Sequence, residues 1–217
     1  MRLNDDLSRP VIVHAARQDW VPSPAAGVER RMLFRIGGEV ARATSIVRYE
    51  PGSAFPRHTH HGGEEFLVLA GVFQDEHGDY PAGSYVRNPI GTSHVPAARE
   101  GCTIFVRLWQ FRSGDKAQIV RQPGEGQTML FDDGHETVRL EDWISGRTVT
   151  VDNRSGLEFL VVSGSLTFSD ESLEPLSWGR LPAGTPLRAN VGRQGARLWI
   201  KDAPLLHPGV CQLPEEV

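Results

Sequence analysis

His58 and His60 stand two positions apart, and Glu64, Gly71 and then Gly83, Pro89, Gly91 and His94 follow them along the chain. Alternate residues of a β-strand point to one face, so His58 and His60 project together. Gly62 and Gly63 can turn the chain, and Glu64 then starts the return strand. His94 comes from a later strand. Three imidazoles and one carboxylate thus converge inside a small barrel, which is the donor set of a divalent metal site. His61 and Glu65 neighbour the proposed ligands but have the opposite strand parity, so both are expected outside the coordination sphere. A turn shifted by one residue would put Glu65 in place of Glu64.

The surrounding chain reads as strands. Short β-branched and aromatic runs alternate with turn signals such as Gly37-Gly38, Pro51-Gly52, Gly62-Gly63 and Glu100-Gly101. Long 3.6-residue periodicities are absent, which argues for an all-β sandwich or barrel. The strand spacing over residues 31–111 is that of a jelly roll. Residues 112–126 are polar and rich in glycine and proline, and a second set of strands follows.

The two halves resemble each other. Glu65-Phe66-Leu67-Val68-Leu69-Ala70-Gly71 aligns with Glu158-Phe159-Leu160-Val161-Val162-Ser163-Gly164, and Pro89-Ile90-Gly91-Thr92 with Pro182-Ala183-Gly184-Thr185. Arg107-Leu108-Trp109 is aligned with Arg197-Leu198-Trp199. In this register Glu64 faces Leu157 and His94 faces Leu187, so the second half lacks the ligands. The expected organisation is a metal-binding barrel with an N-terminal arm over residues 1–112, a linker over 113–126, and a degenerate barrel over 127–217. His135 and His207 are expected at the surface or in a linker.

The two glycine-bounded stretches resemble the two motifs of the cupin superfamily. The second motif departs from the usual pattern only at its end, where Ala98 stands in place of an Asn. The runs Gly63-Glu64-Glu65-Phe66-Leu67-Val68-Leu69, Asp79-Tyr80-Pro81-Ala82-Gly83-Ser84-Tyr85 and Arg87-Asn88-Pro89 resemble the ChrR-like cupins more closely. Acetylacetone-cleaving dioxygenases are more distant relatives. The resemblance implies two tandem cupin jelly-roll barrels, a bicupin, with one divalent ion on His58, His60, Glu64 and His94. Zn²⁺ and Fe²⁺ are the first expectations, with Mn²⁺ or Ni²⁺ also compatible with these donors. It implies a protein that binds or senses a small molecule. The alternative is a metal-dependent oxidoreductase, an Fe²⁺ dioxygenase acting on a β-diketone or other bidentate oxygen substrate; those relatives use three His without a Glu. Cupins commonly pair through sheet edges, so a homodimer is expected. ChrR-like proteins engage a sigma factor through a separate N-terminal zinc domain. Nothing here resembles that domain, so sigma-factor binding by that route is not expected.

Arg48, Tyr85, Arg87, Arg107 and Trp109 lie on expected strands and are candidate pocket-lining residues; an inward Arg87 or Arg107 would favour an anionic ligand. No general base, nucleophile, phosphate-cradling loop or Cys-x-x-Cys pair stands out. With a net charge of −4, the chain offers no electrostatic case for nucleic acid or an anionic membrane. No apolar run reaches the roughly 20 residues of a membrane helix. Two separated cysteines and an N-terminus without a signal-peptide core point to a cytoplasmic protein.

Overall fold

The computed structural model describes residues 1–124 and 126–214. Apart from one three-residue 3-10 turn at Ala15–Arg17, the regular structure is β-strand. The chain divides into two compact units. The first comprises Met1–Asp5, Asp19–Gly124 and His207–Val217; the second comprises Asp6–Gln18 and Glu125–Leu206.

In the first unit the main sheet runs Arg2–Leu3, Val28–Gly37, Ala41–Tyr49, Cys102–Leu108, Glu64–Asp75, Tyr85–Asn88, Ile119–Arg121, with antiparallel pairing throughout. In the second it runs Thr128–Asp132, Thr137–Trp143, Leu187–Asp202, Leu157–Phe168, Ser177–Leu181, Val11–His14, again antiparallel. Alternation explains the inner faces. Phe66, Val68, Ile104 and Val106 share one buried cluster with Tyr49 and Phe73. Leu67, Phe105 and Arg107 are buried on the opposite face.

The long central strand of each unit bends at an equivalent glycine. Gly71 has φ +70°, and a Cβ there would lie 2.2 Å from the Gly101 carbonyl oxygen. Gly164 has φ +71°, and its Cβ would lie 2.0 Å from the Gly195 oxygen. Only glycine tolerates both the left-handed backbone and that approach.

Three features differ from the sequence reading. Within the residues read as a linker, Ile119–Arg121 forms a strand against Tyr85–Arg87. Val11–His14 pairs with Ser177–Arg180 of the second unit, while Val210 bridges Arg112 in the first. A short apolar run shows that a strand exists, not which sheet receives it. The third difference is in the repeat. Arg107 pairs with Glu65, whereas Lys201 pairs with Glu158. Arg107 therefore corresponds to Lys201, and the alignment of Arg107-Leu108-Trp109 with Arg197-Leu198-Trp199 is four residues out of register. The shared Arg-Leu-Trp triplet is coincidental.

Elsewhere the repeat holds. Val151 pairs with Leu187 as His58 pairs with His94, and Leu157 opposes Leu181 as Glu64 opposes Asn88. Val151, Leu157 and Leu187 all belong to the second unit's apolar core. Hydrocarbon packs where the first unit presents His58, Glu64 and His94.

Candidate metal centre

Three short segments position the cluster. His58–Thr59 pairs with Ser93–His94, which sets His58 directly opposite His94. The His60 amide donates to the Thr92 carbonyl at 2.9 Å, and the Gly91 amide donates to the His60 carbonyl at 3.0 Å. This ties the residue after the short strand to the Pro89–Gly91 turn. Gly63, at φ +77°, reverses the chain, and a Cβ there would meet the Phe111 ring at 2.4 Å. Glu64 then opens the long central strand, between Asn88 and Leu108.

One ligand atom from each of His58, His60, Glu64 and His94 lies within 4.8 Å of all the others. His60 Nε2 is 3.2 Å from His94 Nε2 and 3.3 Å from Glu64 Oε2, and His94 Nε2 is 3.6 Å from Glu64 Oε2. Two donors at about 2.1 Å from a common ion stand roughly 3.0–3.4 Å apart at octahedral or tetrahedral angles. The His60–His94 and His60–Glu64 separations fall in that range. Three of the four residues are buried and His58 is exposed.

The hydrogen bonds behind the rings fix which nitrogen faces the cluster. The Thr92 hydroxyl donates its one proton to the Pro89 carbonyl at 2.7 Å, so it accepts from His60 Nδ1 at 3.0 Å. His94 Nδ1 donates to Asp75 Oδ2 at 3.2 Å, and His58 Nδ1 donates to the Pro56 carbonyl at 3.3 Å. Each neutral ring therefore carries its proton on the far side and turns the Nε2 lone pair inward. Lone pairs 3.2 Å apart repel unless a proton or cation lies between them. Asn88 Nδ2 donates to Glu64 Oε2 at 3.1 Å, orienting the carboxylate.

Asp75 was not among the sequence candidates. It lies at the far end of the central strand, beyond the bend at Gly71, and its second oxygen accepts from the His77 amide and the Tyr80 hydroxyl. Burial works against its ionised form, but these bonds and the one to His94 hold its carboxyl below the usual range. A carboxylate behind a ligating histidine orients the ring and raises its basicity. Asp75→Asn should therefore weaken metal affinity by about 10–100-fold with the fold retained. Competition against a chromophoric chelator measures this, and unchanged affinity would show that the contact is idle.

Protonation follows from the same contacts. Burial pushes His60 below the ordinary histidine range, against the pull of Glu64. Burial also opposes charge on His94, but the Asp75 hydrogen bond and the Glu64 and Asp75 charges outweigh it and raise its pKa. Below that raised value an incoming ion must displace the His94 proton. Metal affinity should fall by about tenfold per pH unit as pH drops below that raised value, starting above the ordinary value of about 6.5. In the metal-free chain the His94 contribution to stability runs in the opposite sense, and that of His60, pushed below the ordinary range by burial, runs against it. The His94 proton stabilises the fold below the unfolded value of about 6.5, and that contribution is lost as pH rises through the folded value. Metal titrations across pH 5–9 check the first sign, and thermal melts of the metal-free chain against its His94→Gln variant over the same range check the second.

His61 is exposed and stands outside the cluster. Glu65 is 2% exposed on the opposite face. It accepts from the Tyr85 hydroxyl and from Arg107 Nη1, each at 2.8 Å, and lies 3.6 Å from Arg87. Arg87 also pairs with Asp115 and stacks over Phe111 at 4.5 Å. Arg48 pairs with Glu29 and lies over Trp20 at 4.3 Å.

Of the five candidate pocket residues, only Trp109 lines the cavity of about 330 Å³ that opens beside His58, His60 and Glu64. Arg48, Tyr85, Arg87 and Arg107 do not line it. Ala43, Ser45, Val47 and Tyr49 of one strand and Ile104, Val106 and Leu108 of the next face the cavity, so Arg48 and Arg107 face away by alternation. Trp109 escapes that rule because its backbone turns left-handed, with φ +59°. Cys102 is buried in the core, and burial pushes its thiol up to about 12. His207, expected at the surface, is buried.

Residues 8–112 match the family of the ChrR Cupin-like domain. No curated protein matches the chain. Solved structures agree on the fold. A candidate dioxygenase of Nostoc punctiforme is similar with a TM-score of 0.71 and 14% identity, over 97% of this chain and 88% of its own. The nickel(II) complex of the bacterial pirin YhhW from Escherichia coli gives 0.72 and 13%, over 91% and 100%. A Cupin 2 conserved barrel domain protein from Leptotrichia buccalis gives 0.58 and 9%, over 93% and 99%.

Proposed function

With residues 8–112 matching the family of the ChrR Cupin-like domain, we propose that this chain holds one divalent metal ion on His58, His60, Glu64 and His94 and uses it to bind or sense a small molecule. One observation carries the reading: each histidine has its Nδ1 engaged behind it, so three Nε2 lone pairs and a Glu64 oxygen meet at one point. A divalent ion there would act as a Lewis acid and template for an oxygen ligand. The second unit, with its core closed by leucine and valine, serves as scaffold.

Metal analysis of the purified chain tests this. One equivalent of a divalent ion per chain is expected, and a chain that stays metal-free after dialysis against zinc and iron salts would refute it.

The cavity beside the cluster favours a second reading, an Fe²⁺-dependent dioxygenase of a β-diketone or similar bidentate oxygen substrate. The chain's own part would be to orient the substrate against the apolar wall and keep bulk water from it. Oxygen uptake by the Fe²⁺-loaded chain with a diketone panel tests it. Silence across the panel, with zinc bound as isolated, would count against it.

A further inference from the structure

The cavity beside the cluster is about 330 Å³, roughly twice the ~150 Å³ that holds one benzene ring. Away from the metal donors, Val47, Ile104, Val106 and Leu108 make much of its wall apolar. Tyr49 lines the same cavity and is 8% exposed. Its ring is fixed edge-on against Phe55 at 5.5 Å and Phe73 at 5.7 Å. Among the described residues nothing hydrogen-bonds its hydroxyl. Burial, and then the nearby Glu64 charge, holds that hydroxyl well above the ordinary tyrosine range, so it is a neutral donor. The hydroxyl is not sealed in the core, and with no partner among the described residues it leaves a donor free at the cavity wall, where a ligand group can meet it.

Charge narrows the occupant further. Three neutral imidazoles, one carboxylate and a divalent ion sum to about +1. A monoanion would neutralise the metal cluster itself, and Arg30 and Arg35 against Glu39, which also line the cavity, add a further positive charge that favours an anion.

Resting on the metal reading above, we propose that the cavity takes a monoanionic O,O-chelating ligand with an apolar body about one aromatic ring in size, carrying one hydrogen-bonding group that meets Tyr49. The chelating oxygens face the cluster, the body lies along Val47, Ile104 and Val106, and the Tyr49 hydroxyl donates to the distal group.

Calorimetric titration of the metal-loaded full chain with three hydroxamates tests this. Acetohydroxamate and benzohydroxamate share a chelating head and differ in the apolar body. Benzohydroxamate should bind about tenfold tighter or more, from burial of the ring. Ser45→Leu, which fills the cavity without altering a metal ligand, should erase that advantage. 4-Hydroxybenzohydroxamate should gain a further several-fold, on the order of one hydrogen bond, and Tyr49→Phe should remove that gain while keeping the ring packing and the bound metal. Equal affinity for the first two probes in a chain holding one metal equivalent would overturn the proposal, as would a 4-hydroxy gain that survives Tyr49→Phe. A chain that takes up no metal would overturn the underlying metal reading, and this proposal with it.

Discussion

His60→Ala should abolish stoichiometric metal binding, while His61→Ala leaves one equivalent bound. His60 Nε2 lies 3.2 Å from His94 Nε2 and 3.3 Å from Glu64 Oε2, so it sits at the centre of the donor set. Removing a group behind a ligand typically costs about 10–100-fold in affinity, so losing the ligand itself should cost more than about 100-fold. His61 is adjacent in sequence, but its side chain is exposed and outside the cluster. The pair separates coordination from the general loss of an imidazole near the site. Competition titration with a chromophoric chelator gives both affinities, and comparable losses from the two substitutions would show that the assignment of faces around residues 58–64 is wrong.

Glu65→Ala should lower stability by about 3–5 kcal/mol, the range for removing one partner of a buried ion pair, and leave the metal site populated. Glu65 bridges Arg107 and Tyr85 and lies 3.6 Å from Arg87, with both guanidinium groups buried. Taking the carboxylate away leaves two buried cations beside one another, with Asp115 near Arg87 and Gln110 near Arg107. Glu64→Gln should do the reverse: it removes the anionic metal donor, yet the side chain can still accept from Asn88. Urea denaturation and metal content of the two variants form a two-by-two test. A Glu65→Ala chain that loses metal while keeping its stability would invert the roles of these neighbours.

That contrast shows what the sequence makes legible. The four proposed ligands could be named because strand alternation and a glycine turn are local rules, and His58, His60 and Glu64 sit within seven positions of one another. The absence of donors in the second half was legible for the same reason: Leu157 and Leu187 fall where Glu64 and His94 stand, and both are core residues. The cavity wall was not legible. Neither Ala41–Tyr49 nor Cys102–Leu108 has a purely polar face, so the pattern does not say which side is inward. Register shifts between Met32 and Phe34 and between Thr103 and Ile104 interrupt the alternation in the flanking ladders. Arg48 and Arg107 were pocket candidates only because they lie on expected strands, and both serve ion pairs on the other face.

Asp75 was hidden for a different reason. It shares a strand with Glu64, but the bend at Gly71 is what brings that carboxylate to His94. A glycine in a strand announces that a bend is possible without saying what the bend delivers. Thr92 lies two residues before His94, inside the turn motif itself. Its hydroxyl could have been suspected there, but its bond to His60 Nδ1 depends on pairing between segments far apart in the chain.

Anomalous diffraction at the metal absorption edge, from crystals of the metal-loaded full chain, addresses the central claim most directly. One peak is expected, at coordination distance from His58, His60 and His94 Nε2 and a Glu64 oxygen. A peak among Val151, Asn153, Leu157 and Leu187 in the second unit, or no peak in a chain that holds metal in solution, would contradict it.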